Sequence, residues 1–288
     1  MEPILQIQNL GKQFKDFALK DINLTLDRGF IMGFIGPNGA GKSTTIKLIL
    51  NLMNRDRGEI KIFGKDNVKH EIEVKNKIGF VLDESYYYEE ITVLDMKRII
   101  SSFYKNWDEA VFNKYSKDFE ISPKKKIKEL SKGMKMKFSL AVALSHHAEL
   151  LIMDEPTSGL DPVVRSELLD ILSDLMQDEN KGVFFSTHIT SDLDKIADYI
   201  TFIDKGQIVF STTKDDILEN YGLVKGPKEL VCGNNTNDFI GIRESQFGFE
   251  GLVQNKEEFR KSCREKVVIE KPTLEDIMVY YTRREKYV

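Results

Sequence analysis

The residues best placed to do chemistry are Gly36-Pro37-Asn38-Gly39-Ala40-Gly41-Lys42-Ser43-Thr44, a run that fits G-x-x-x-x-G-K-[ST]. Its glycines let the backbone curl until successive N–H groups face one point, and a helix opening near Lys42 adds its positive dipole end. A cradle of that kind holds phosphate. Lys42 is expected to reach the β- and γ-phosphate oxygens of a nucleoside triphosphate, and the Ser43 hydroxyl to ligate Mg²⁺. The alternative is a glycine-rich turn that binds nothing. Such a turn has no need of the apolar stretch before it and the helical pattern after it, both of which are present.

A second group follows downstream. Leu150-Leu151-Ile152-Met153-Asp154-Glu155 is an apolar strand ending in two carboxylates, where an open α/β sheet places its ligand crevice. Asp154 is expected to hold Mg²⁺, directly or through water. Glu155, pointing differently, is expected to take a proton from an attacking water. Alone, an Asp-Glu pair is an ordinary solvated strand end; with a phosphate loop upstream it completes a hydrolytic site. His188, just past the apolar residues 183–186, falls at the same sheet edge.

These side chains need a scaffold that brings separate segments to one edge. Residues 30–35, 78–82, 150–153, 183–186 and 200–203 are near-continuously apolar, as parallel strands covered on both faces are. Residues 5–8 and 22–26 alternate apolar and polar with period two, the pattern of a half-buried antiparallel sheet. Between residues 90 and 147 the pattern turns helical, which predicts a helical insertion at about 88–147. From residue 221 onward the texture changes. Gly222, Gly226, Pro227 and the run Gly233-Asn234-Asn235-Thr236-Asn237 read as loops, and Thr273 with Asp276 three residues on reads as the start of a helix through Tyr281. The expected layout is a nucleotide-hydrolysing domain over residues 1–220 and a small C-terminal accessory domain over 221–288.

Leu130-Ser131-Lys132-Gly133-Met134 precedes a helical stretch ahead of the acidic pair. Together the phosphate loop, this variant of the LSGGQ signature and the acidic pair resemble the ABC ATPase family over residues 4–215; Ser158-Gly159-Leu160-Asp161 is similar to its D-loop and His188 to its switch histidine. The resemblance implies an α/β fold of the P-loop NTPase kind: a parallel sheet, flanking antiparallel strands, an inserted helical subdomain and a small C-terminal α+β domain. It also implies ATP with Mg²⁺ as ligands. Two nucleotide-binding subunits, alike or different, would sandwich two ATP molecules head to tail, so Ser131 and Gly133 would contact the nucleotide held by the partner. Glu155, His188 and Lys42 would be the catalytic side chains, with Asp161 at the nucleotide. Phe14 falls where the family carries an adenine-stacking aromatic, with Phe17 as a nearby competitor and core packing as the plain alternative.

Five features depart from the family or stay outside its motifs. Lys132 and Met134 replace a glycine and a glutamine of the signature, and Asp83 stands where the Q-loop glutamine is expected. As a carboxylate, Asp83 could bind Mg²⁺ or its water, making activity depend more heavily on the metal. Tyr86-Tyr87-Tyr88, where the family meets its membrane partner, suits an interface or packing between subdomains. The lysines of Lys124-Lys125-Lys126-Ile127-Lys128 read as a solvated helix entrance and His146-His147 as structural.

Bulk properties fit that reading. A chain of 288 residues with 41% hydrophobic and 31% charged residues can bury a full-sized core. A net charge of -4 gives no global attraction to nucleic acid, and no nucleic-acid partner is expected. Cys232 and Cys263 are too few for a metal cluster and typical of a reducing compartment. No apolar run is long enough to span a membrane, so a separate membrane-spanning permease would supply the span and hold this chain at the cytoplasmic face. The family features most resemble bacterial ABC-2-type exporters, including those moving antimicrobial or amphipathic peptides. Two other readings stay open: a soluble ABC ATPase acting on ribosomes or DNA, and a low-turnover, nucleotide-dependent assembly module.

Overall fold

Apolar strands without alternation must be covered on both faces, and the computed structural model, which describes residues 2–82, 87–227, 238–262 and 267–283, shows how. Strands β3 (Ile31–Ile35), β7 (Leu150–Asp154) and β8 (Gly182–Thr187) are buried at every residue. With β6 (Ile78–Val81), β9 (Tyr199–Asp204) and β10 (Gln207–Thr213) they form a six-stranded sheet of order β10-β9-β3-β8-β7-β6. The pairs among β9, β3, β8, β7 and β6 are parallel. Helix α1 (Lys42–Ile49) follows β3, and α6 (Pro162–Leu175) and α7 (Thr190–Ile196) connect β7 to β8 and β8 to β9.

The alternating segments form a separate antiparallel sheet, β2-β1-β4-β5, from β1 (Leu5–Gln13), β2 (Ala18–Leu26), β4 (Arg57–Ile62) and β5 (Lys65–Asp66), with α2 (Glu71–Lys75) after it. β1 is longer than its alternation predicts. Register shifts between Ile7 and Leu10, with Asn9 at φ 50°, reset the pleat so that Leu10 stays fully buried. This sheet shares one apolar core with the parallel sheet, in which the rings of Phe34 and Phe184 meet at 5.1 Å. Burying side chains of that size contributes about 1.5–3 kcal/mol each.

The insertion between β6 and β7 consists of α3 (Val93–Ser101), α4 (Glu109–Asp118) and α5 (Lys132–Ser145), with a single isolated bridge, Thr92 to Lys126, among its described residues. α3 and α4 start at capping side chains, Thr92 and Asp108, that accept from backbone N–H groups of the first turn.

The chain divides into two units, Met1–Ser211 and Thr212–Val288. The second holds α8 (Lys214–Asn220), β11 (Gly222–Gly226), β12 (Phe239–Ser245), β13 (Gly248–Val253), α9 (Lys256–Ser262), β14 (Val268–Glu270) and α10 (Leu274–Thr282). Its sheet has order β12-β13-β11-β14 with antiparallel pairs throughout. α10 opens on the capping box of Thr273 and Asp276. Val224, Phe249, Val253 and Phe259 make a core of its own. The polar run 233–237 and both cysteines lie outside the described residues.

Candidate functional site

Sheet order decides which loops meet. Because β3, β8 and β7 are neighbours in register, Ile35 lies beside Thr187 and Asp154 beside Ser186, so the segments leaving all three strands gather at one edge. That edge is where a parallel α/β sheet binds ligands.

From β3 the chain enters the loop of residues 36–41 and then α1. Gly36 could not be another residue without disturbance: a Cβ there would sit 2.2 Å from the Ile203 carbonyl oxygen. Gly41 takes φ 113° at the N-cap of α1, and a Cβ would meet Leu19 at 2.6 Å and the Phe17 ring at 3.0 Å. α1 has no capping side chain and no acidic residue in its first turn. No capping side-chain oxygen takes up its first N–H groups, which leaves them to an anion.

Lys42, 6% exposed, donates to the Gly36 carbonyl at 2.8 Å and to that of Pro37 at 3.4 Å. Its ammonium also stands 3.4 Å from Glu155 Oε1. The other carboxylate oxygen of Glu155, Oε2, accepts the His188 backbone N–H at 3.2 Å and lies 2.7 Å from His188 Nδ1. Lys42, Glu155 and His188 thus form one line across the edge. Glu155 holds a left-handed backbone, φ 49°, a conformation that costs a non-glycine residue about 1–3 kcal/mol and is found concentrated at functional sites.

One residue earlier, buried Asp154 accepts from the Ser186 hydroxyl at 2.5 Å. Among the described residues no cluster of three or more His, Cys, Asp or Glu could hold a metal ion alone. A Ser43 hydroxyl with one carboxylate from Asp154 is instead the sparse, hard-oxygen donor set that suits Mg²⁺ sharing its shell with water and phosphate.

An open cleft of about 770 Å³ gathers much of this site, lined by Asn38, Gly39, Gly41, Lys42, Ser43 and Thr44 of the loop, by Glu155, Ser158 and His188, and by Asp16 and Phe17. Gly36 and Ala40 shape the loop behind that lining, with Ala40 buried. Phe17 lies on the cleft wall; the Phe14 ring lies 6.1 Å from it, and Phe14 N–H donates to the Phe17 carbonyl.

The signature and D-loop residues sit at helix starts. Ser131 caps α5, its hydroxyl accepting from the Met134 N–H, and Asp161 caps α6, accepting from Val163 and Val164. A Cβ on Gly133 would approach Val164 to 3.3 Å, so the two helix starts lie side by side. Asp83 and Tyr86 fall outside the described residues. Tyr87 is internal, its hydroxyl donating to Ser139 and its ring edge-on to Phe138, whereas Tyr88 is exposed. His146 is buried against Tyr104 in a parallel stack at 3.8 Å.

Two contributors had no legible signal in the sequence. Ser186 meets Asp154 only because β7 and β8 are neighbours, and Asp16 precedes no motif; strand order would have to be known first.

An uncapped glycine loop, a lysine, and a strand-end carboxylate pair on a parallel sheet define a nucleoside triphosphatase of the P-loop kind. Residues 19–158 match the ABC transporter family. The bacitracin transport ATP-binding protein BcrA of Bacillus licheniformis is 33% identical over 214 residues, covering 73% of this chain and 69% of that protein. The lantibiotic transport ATP-binding protein SrtF of Streptococcus pyogenes is 31% identical over 214 residues, covering 74% and 92%. A solved ATP-binding subunit of an ABC transporter superposes with a TM-score of 0.68 at 29% identity, covering 74% of this chain and 91% of that one. The chain belongs to the ABC transporter ATP-binding family, and so binds ATP and hydrolyses it. No described helix is long and apolar enough to cross a membrane.

Proposed function

We propose that this chain is the motor subunit of an exporter, in which two nucleotide-binding subunits close head to tail on two ATP molecules and drive a separate membrane-spanning permease from its cytoplasmic face. The observation that carries the reading is the line from Lys42 through Glu155 to His188 at the mouth of the phosphate loop. Residues 1–220 form the ATPase domain of this assignment and residues 221–288 an accessory domain.

In the loaded site Lys42 exchanges the Gly36 and Pro37 carbonyls for β- and γ-phosphate oxygens, and the N–H groups of residues 38–44 surround the phosphates. Ser43 and Asp154 would hold Mg²⁺, which would supply positive charge to offset that of the phosphates. Glu155 accepts a proton from water as the water oxygen bonds to the γ-phosphorus. The bridging bond to the β-phosphate breaks with its electron pair on the departing nucleoside diphosphate. His188, held against Glu155, orients the γ-phosphate. The adenine stacks on the Phe14 and Phe17 edge, Asp161 stands at the nucleotide, and Ser131 and Gly133 of the second subunit complete the site.

The permease reading is supported by large apolar side chains left exposed around the helical insertion, Tyr88, Ile99 and Phe103. Relatives named for bacitracin and lantibiotic transport support antimicrobial peptides as the cargo class.

Glu155→Gln tests the site. It is expected to abolish turnover, by 10²-fold or more on the scale of a lost general base, while ATP now holds the chain as a stable dimer by size exclusion. Unchanged turnover removes Glu155 as base. For the partner, extraction of the native chain together with a spanning subunit is expected; recovery from a membrane-free fraction alone contradicts it.

A further inference from the structure

The hydrolytic side chains leave the sheet on two different segments. Glu155 and Asp161 lead into α6, and His188 leads into α7. One side chain ties the two helices together. Arg165, four residues beyond Asp161, donates from Nε to Asp192 Oδ1 at 2.5 Å and from Nη2 to the Ser191 hydroxyl at 2.7 Å. Asp192, four residues beyond His188, is 0% exposed, and its Oδ2 has no hydrogen-bond partner among the described residues.

A carboxylate in that position is costly. Buried charge is retained only where its partner sits in good geometry, and apolar side chains of similar volume would stabilise the same contact as well or better. What a forked guanidinium adds over an apolar contact is a fixed distance and direction. That constraint reaches the site at both ends. Asp161 locks the start of α6 through Val163 and Val164. The turn out of β8 is equally tight, with Ile189 N–H donating to Thr187 Oγ1 at 2.9 Å and Asp192 N–H to the Ile189 carbonyl at 3.2 Å. A shift in the first turn of α7 therefore moves His188.

We propose that Arg165 is a positioning residue for hydrolysis: its bond to Asp192 makes the first turns of α6 and α7 move as one piece, so that the place of Asp161 sets how His188 meets Glu155. The proposal rests on the roles assigned above to Glu155 and His188, and it assigns Arg165 no contact with ATP.

The test uses steady-state hydrolysis and melting temperature on the full chain. Arg165→Lys keeps the charge but not the fork. It is expected to melt near the wild type and to leave KM for ATP within about twofold, yet to lower kcat about tenfold or more, as misplacement of a reacting group does. Arg165→Met leaves Asp192 uncompensated and is expected to melt early. The double variant Arg165→Met with Asp192→Leu regains the melting temperature and not kcat. Wild-type kcat in Arg165→Lys, or recovery of kcat together with stability in the double variant, overturns the proposal and reduces the pair to a structural one. Glu155→Gln measured alongside separates the two levels. If it still turns over, the reading of the site fails; if it stops while Arg165→Lys runs at the wild-type rate, only the positioning role fails.

Discussion

At the scale of single residues, the site is built around charges that would be costly apart. Lys42 at 6% and Glu155 at 13% exposure neutralise one another across 3.4 Å, and His188 takes the second carboxylate oxygen. The residues of the phosphate loop were legible in the sequence because their constraint is local, a fixed glycine spacing ending in Lys42 and Ser43. Ser186 was not, since nothing near it in the chain marks it; its partner Asp154 is reached only through the pairing of two strands. The aromatic edge proposed to bind the base lies between these cases. Phe14 and Phe17 both come from the sequence, and their rings sit 6.1 Å apart with Phe17 on the cleft wall. Phe14→Ala is expected to weaken ATP binding by about 1–3 kcal/mol, the worth of one base-aromatic stack, and Phe14→Trp to retain it. Titration with a fluorescent ATP analogue measures this, and unchanged affinity in Phe14→Ala assigns the stack to Phe17.

At the scale of elements, helix α5 links two features with different chemistry. Its first residue follows the capping Ser131, and its last turn ends on His146. His146 is 2% exposed and stacked on Tyr104, and burial pushes its pKa down from 6.5 to about 4. The unfolded chain therefore takes up a proton there first as the pH falls. Stability contributed by keeping this ring neutral is intact above pH 6.5, is lost progressively toward pH 4, and changes no further below it. The whole loss is up to roughly 3 kcal/mol. His146→Phe preserves the stack without the proton, so its urea midpoint is expected to fall less than that of the wild type between those pH values. Equal slopes would show that His146 titrates normally. Periodicity identified the helix but not this burial, because His146 follows an apolar stretch on which a buried and an exposed histidine look alike. Similarly, the alternation that marks β1 breaks at Asn9, where a register shift keeps Leu10 inside although the pattern no longer shows it.

For the whole molecule, the parallel sheet turns distant motifs into one edge, and the helix starts at Ser131 and Asp161 lie side by side within reach of each other. Neither Ser131 nor Gly133 lines the cleft that holds the phosphate loop of the same chain. The proposed completion of the site by a second subunit accounts for both facts. Mixing two inactive variants tests this most directly. Lys42→Ala disables the phosphate loop and leaves the signature intact; Gly133→Asp puts a negative charge into the signature and leaves the phosphate loop intact. Each alone is expected to hydrolyse ATP at background rate while keeping a cooperative melting transition. Combined, they are expected to recover part of the wild-type turnover, because the loop of one chain then meets the sound signature of the other. A mixture as inactive as its components, or full turnover by Gly133→Asp alone, would contradict a shared site.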